Sequence, residues 1–209
     1  MKKTLLLLLT ALMALTLTAC RRGPFAPVAP EKPVLYLYPE VETKVDVTLE
    51  VDGTLTCTYP AYENGWSVTA APDGTLRDSS GQVYRYLYWE AEQQADFDFS
   101  RGFCVAGSDT AAFLEEVLAE IGLNRTEANE FIIYWLPQME QNPYNLIAFQ
   151  GEAYTVGAQL RIDPAPESLL RVFMAWKPLS APVTVEPQTF APFVRSGFTA
   201  VEWGGAQIQ

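Results

Sequence analysis

The chain has 209 residues, with 25 acidic side chains against 14 basic ones, and it contains no histidine. A net charge of −11 argues against nucleic acid as a partner, because phosphate binding relies on clustered Lys and Arg. The missing imidazole excludes Ser-His-Asp and Cys-His catalysis and histidine-ligated zinc or haem, and the two cysteines of the folded part are too few for an all-thiolate zinc site, so neither a metal nor a cofactor is expected.

Met1-Lys2-Lys3 supplies a positive start, and Leu5 to Leu17 forms an apolar stretch short of the ~20 residues that span a bilayer. Residues 1–19 therefore read as a signal peptide. Its end, Leu17-Thr18-Ala19-Cys20, has the pattern of a bacterial lipobox, so cleavage leaves Cys20 as an acylated first residue. Several acyl chains anchor stably where one binds only marginally. Residues 20–32 form a stalk, since Pro24, Pro27 and Pro30 fix φ and remove backbone donors. At ~3.1 Å per residue this segment reaches roughly 30 Å. Arg21 and Arg22 sit against anionic headgroups. The expected location is the extracytoplasmic side of the membrane or envelope, with the lipid on Cys20 as the membrane partner.

Residues 33–205 are long enough for one domain with its own core, followed by a tail at 206–209. Val34 to Tyr38 is an apolar and aromatic run, and Lys44 to Val51 alternates Val45, Val47, Leu49 and Val51 with polar residues; both predict strands. Asp52-Gly53 then predicts a tight turn, so residues 44–59 read as a β-hairpin. Trp66 to Ala70, Leu76 and Val83 to Trp89 add further strands. Ser108-Asp109 is an N-cap signal for a helix ending at Gly122, with Phe113, Leu114, Val117, Leu118 and Ile121 on one face. Asn124 and Glu127 have capping-box spacing before a second helix, which Pro137 bends or stops. Strands return at Tyr144 to Phe149, Leu169 to Trp176 and Phe198 to Trp203, between proline-rich loops at 164–166 and 178–192. The expected class is α+β: a mainly antiparallel β sheet or sandwich with an inserted helical hairpin.

Lys32 to Pro39 (KPVLYLYP), Tyr86 to Ala91 (YLYWEA), Phe97 to Val105 (FDFSRGFCV) and Arg171 to Leu179 (RVFMAWKPL) form long, specific blocks. Further blocks at 127–137, 142–149 and 201–205 extend them over nearly the whole domain. The chain resembles a family of uncharacterised bacterial lipoproteins and hypothetical proteins that share such blocks. The resemblance implies a shared fold and an anchored location, and it carries no activity and no catalytic residue.

One segment concentrates potential chemistry. Glu90, Glu92, Asp96 and Asp98 lie beside Tyr88, Trp89, Phe97 and Phe99, a composition suited to a sugar site or to calcium, or simply to a solvated acidic loop. The expected ligand-binding set is Tyr88, Trp89, Glu90, Asp96, Phe97 and Asp98. Cys104 can serve as a nucleophile only if a group such as Arg101 lowers its pKa, and Cys57 and Cys104 form a possible disulfide. The leading functional expectation is a non-catalytic binding or interaction module for a glycan, peptidoglycan or protein ligand. A histidine-free carboxylate hydrolase acting on glycans and a structural envelope lipoprotein are the alternatives.

Overall fold

The computed structural model describes residues 31–93 and 95–208. The expected signal peptide, Cys20 and most of the stalk lie outside the described residues. Among the described residues, twelve strands form two sheets. The larger has seven strands in the order β3-β7-β1-β12-β11-β9-β8, and the smaller has five in the order β10-β2-β4-β5-β6. In the larger sheet these are β1 Glu31–Tyr38, β3 Gly53–Tyr59, β7 Leu87–Gln93, β8 Phe103–Ala106, β9 Tyr144–Gln150, β11 Ser168–Leu179 and β12 Thr199–Gln207. In the smaller they are β2 Thr43–Val51, β4 Trp66–Ala70, β5 Leu76–Arg77, β6 Val83–Tyr84 and β10 Ala158–Asp163. Two helices, α1 Thr110–Ile121 and α2 Arg125–Met139, form the hairpin, and a single turn, α3 Glu152–Thr155, follows β9. The class is α+β, with two mostly antiparallel sheets and a helical hairpin. Among the described residues, strand pairing runs from Glu31 to Gln207.

Successive side chains of a strand point to opposite faces, and here both faces of the larger sheet are covered. Val34, Tyr36, Val172, Met174, Trp176, Val201 and Trp203 pack under the helical hairpin. Their neighbours Leu35, Leu37, Leu87, Trp89, Phe173 and Ala200 pack against the smaller sheet. A strand buried on both faces loses its polar alternation, which is why β1 and the middle of β11 read as continuous apolar runs. β2 faces solvent on one side and alternates strictly, with Val45, Val47 and Leu49 buried between exposed neighbours.

Asp52-Gly53 does not close a hairpin. β2 pairs with β10 and β4, whereas β3 crosses to the larger sheet and pairs with β7. The glycine is needed for close approach: a Cβ at Gly53 would lie 2.0 Å from the carbonyl oxygen of Glu92. The first helix also begins later than expected, after a 3-10 turn at Gly107–Asp109, and Asp109 makes no side-chain cap. It ends as expected at Gly122, whose φ of +114° is a left-handed cap suited to glycine. The capping box of α2 is complete: Asn124 Oδ1 accepts from Glu127 N at 3.0 Å, and Asn124 N donates to Glu127 Oε2 at 2.8 Å. Pro137 does not stop this helix, which continues for two more residues to Met139.

β11 and β12 run parallel, in register from Ser168↔Thr199 to Trp176↔Gln207. A parallel pair needs a crossover, and the proline-rich segment 180–198 provides it. On its way it straps the far edge of the sheet. Glu186 O accepts from Gly102 N at 2.8 Å beside β8, and the Gln188 side-chain amide exchanges two 2.8 Å hydrogen bonds with the backbone of Phe149. Arg195 then locks the segment to the hairpin: its Nη2 bonds Glu127 Oε2 at 2.5 Å and Gly122 O at 3.1 Å.

Phe131 is wholly buried, 5.2 Å from the Trp203 ring in an edge-on contact. Phe131→Ala is expected to cost about 3–5 kcal/mol, the usual loss for emptying a packed aromatic site. Equilibrium denaturation measures it, and a loss below about 1 kcal/mol would contradict this packing.

Candidate functional site

The acidic and aromatic segment anticipated from the sequence is not a single surface. Trp89 is 1 % exposed and faces the smaller sheet, so it is a core residue. Phe97 packs on the same side, its ring 5.1 Å from that of Phe173. Tyr88 and Glu90 lie half-buried on the opposite face of β7, where Glu90 Oε1 accepts from Lys32 N at 3.4 Å. Burial and then the Glu90 carboxylate raise the Tyr88 phenol well above its usual range. Asp96 is exposed in the loop after β7. Asp98 is spent on a local turn, accepting from Ser100 N at 2.7 Å and Ser100 Oγ at 2.9 Å, bonds that hold its carboxyl below the ordinary range. The set expected to converge is divided between two faces of a strand and a loop. Among the described residues, no group of three or more His, Cys, Asp or Glu side chains could hold a metal ion.

The possible disulfide is also corrected. Cys57 on β3 and Cys104 on β8 occupy opposite edges of the seven-stranded sheet, and both are free. Six strand spacings of ~4.8 Å separate them by roughly 25–30 Å, far beyond a bridge. Cys104 Sγ accepts from Val183 N at 3.4 Å, and Arg101 pairs with Glu186 at 2.8 Å rather than with the thiol.

The structure gathers instead a set that the sequence did not single out. β9 ends at Gln150, opposite Phe173, and the chain turns away at Gly151 into α3. β11 extends five residues further toward its start, to Ser168. Ser168 N donates to Phe198 O, on the β12 side. Alternation along the strand then turns the N–H and C=O groups of Leu169 and Arg171 toward the side that β9 has left. Among the described residues neither has a backbone partner there. Beside this open edge lies a groove of about 460 Å³, floored by Phe149, Leu170 and Val172 and walled by Ile121, Phe190 and Phe193. The crossover strap supplies the two wall phenylalanines, and the end of α1 supplies Ile121. The volume is that of an ordinary ligand pocket, ~300–1,000 Å³.

Arg171 also fixes the edge from behind. Its side chain enters the space between the sheets, where Nε donates to Glu202 Oε2 at 2.6 Å and Nη1 to Ala158 O at 2.7 Å. Glu202 is fully buried and also accepts from Trp89 Nε1 at 3.1 Å and from the Tyr154 hydroxyl at 3.1 Å. Burial and the neighbouring Glu202 charge push the Tyr154 phenol well above its ordinary range, so it stays a donor. Burial alone would lower the Arg171 guanidinium; Glu202 and Tyr154 outweigh it and raise the group. Arg171 Nη2 has no partner among the described side chains. Arg171 and Glu202 stand 31 residues apart in the chain, and the parallel register Arg171↔Glu202 is what makes them a pair.

Glu202→Gln is expected to destabilise the domain by about 3–5 kcal/mol, because it leaves a buried guanidinium uncompensated. The double substitution Glu202→Leu with Arg171→Met should cost less than Glu202→Gln alone, as read by denaturant midpoints at constant slope. Compared with models of protein families, with curated proteins and with solved structures, the chain matches none.

Proposed function

We propose that this protein is a lipid-anchored binding module on the extracytoplasmic side of the cell envelope, which takes its ligand without transforming it in the groove between β11, the crossover strap and the end of α1. The observation that carries the reading is the aromatic groove itself, lined by Phe149, Leu170, Phe190 and Phe193 beside a strand edge with unused backbone groups. Apolar walls with a few fixed polar groups are the common form of a binding pocket. The anchor half of the reading rests on the sequence: the lipobox at Cys20, the stalk and the resemblance to bacterial lipoproteins.

The hydrolase alternative needs two carboxyls across one cleft, one of them desolvated enough to stay protonated. A depression of about 390 Å³ at the edge of β2 and β4 does hold Asp46 and Glu63. Both are exposed, and Asp46 pairs with Lys44 at 3.7 Å, so neither has the apolar surroundings of a general acid. The groove on β11 contains no carboxylate side chain in its lining.

Mass spectrometry of the wild type should find Cys20 acylated as the mature N-terminus, and Cys20→Ala should leave the membrane fraction or stall processing; efficient secretion of an unmodified wild type would refute the anchor. Leu170→Gln places an amide on the groove floor. In a screen of glycans, peptidoglycan fragments and peptides it should weaken any genuine ligand at least about tenfold while near-UV circular dichroism stays unchanged. Binding insensitive to this substitution would place the ligand elsewhere.

A further inference from the structure

We infer that the ligand of this groove is an extended, cationic peptide segment of another protein, added as a further strand along Leu169–Arg171 with an apolar side chain in the aromatic pocket. The inference rests on the groove being the binding surface and adds the class of its occupant.

Three observations select a peptide strand. The first is the open ladder: Leu169 and Arg171 present backbone donors and acceptors where β9 has ended, and only another backbone satisfies them in series. The second is the contrast with the neighbouring edge of the same sheet, which the chain closes with care. Beside β8, Glu186 O takes the Gly102 N–H, and the Gln188 amide imitates a strand against Phe149. Exposed edges are a hazard that folds blunt or cover, so an edge left open beside a closed one is a feature to be used. The third is the pocket, which lies on the face of β11 where a bound strand would direct alternate side chains, among Phe149, Phe190 and Phe193.

Charge selects the sign of the partner. The folded chain is strongly acidic, and the residues that follow or precede the groove lining, Glu120 beside Ile121 and Glu152 beside Gly151, are exposed and make no ion pair among the described residues. Arg171, the base at the edge itself, is neutralised between the sheets by Glu202 at 2.6 Å. A cationic strand is attracted by this field and an acidic one is repelled.

The test uses the full chain in nonionic detergent micelles, with empty micelles as blank, and a fluorescent octapeptide that alternates Lys with Phe or Val. Three companions are compared by anisotropy: the same peptide N-methylated at alternate backbone nitrogens, a version with Glu for Lys, and a panel of peptidoglycan fragments. The expected result is saturable binding of the Lys peptide that falls at least about tenfold on N-methylation, on the Glu exchange, and in the Leu170→Gln protein. Equal binding of the N-methylated peptide that still responds to Leu170→Gln overturns strand addition and leaves the groove as a site. Equal or tighter binding of the Glu peptide overturns the charge assignment. A peptidoglycan fragment that binds in a Leu170-dependent way, with no peptide doing so, overturns the peptide class alone. If no probe responds to Leu170→Gln, the groove reading falls as well.

Discussion

The parallel pairing of β11 with β12 is the constraint from which most of the architecture follows. Two parallel neighbours cannot be joined by a tight turn, so the chain must travel back along the sheet before β12 begins. The return path, 180–198, is rich in proline, which suits a segment that lies across the molecule without joining a ladder. Its route then decides what is covered and what is open. It closes the edge beside β8, ties itself to the capping box of α2 through Arg195 and Glu127, and contributes Phe190 and Phe193 to the groove. The groove is therefore a by-product of a connection that topology required.

The same pairing brings Arg171 and Glu202 together between the sheets. A buried ion pair is weak support for stability, since desolvation offsets much of the attraction. Its value here is positional. Glu202 accepts from Trp89, Tyr154 and Arg171, which belong to β7, α3 and β11, so one carboxylate ties three elements to β12. The result is a strand edge whose side chain is held rigidly on the inner face while its backbone faces outward. A preorganised edge would lose little freedom in the strand addition proposed for it.

How far the fold was legible depended on how many faces of each element are buried. β2, with one solvent face, declared itself by alternation, and α2 by Asn124 and Glu127. The doubly buried strands read as apolar runs whose type was clear and whose neighbours were not. Asp52-Gly53 misled because a glycine demanded by close approach to Glu92 has the same spelling as a hairpin turn. β8 went unread because it is four residues long and its partner lies far along the chain, whereas β10 carries the same alternation as β2, with Ala158, Leu160 and Ile162 between polar neighbours. The candidate site was hardly legible at all. Phe149 and Leu170 come from two paired strands that the crossover loop, carrying Phe190 and Phe193, reaches from far along the chain, while Trp89 and Phe97, which looked available beside carboxylates, were consumed by the core.

Strand β1, the first element of the domain, lies in the interior of the larger sheet, flanked by β12 over most of its length and by β7 at Val34 and Leu35. A protein tethered by its N-terminal side and gripped at a distant edge is pulled through this strand. Traction on Glu31 runs along the strand axis, so the rungs to β12 share the load in shear instead of opening one after another. The line of force continues from β12 to β11 through a second ladder of nine register pairs. Under the proposed anchoring and strand addition, the mechanical path from Glu31 to the start of β11 crosses two ladders, β1 to β12 and β12 to β11, side-on.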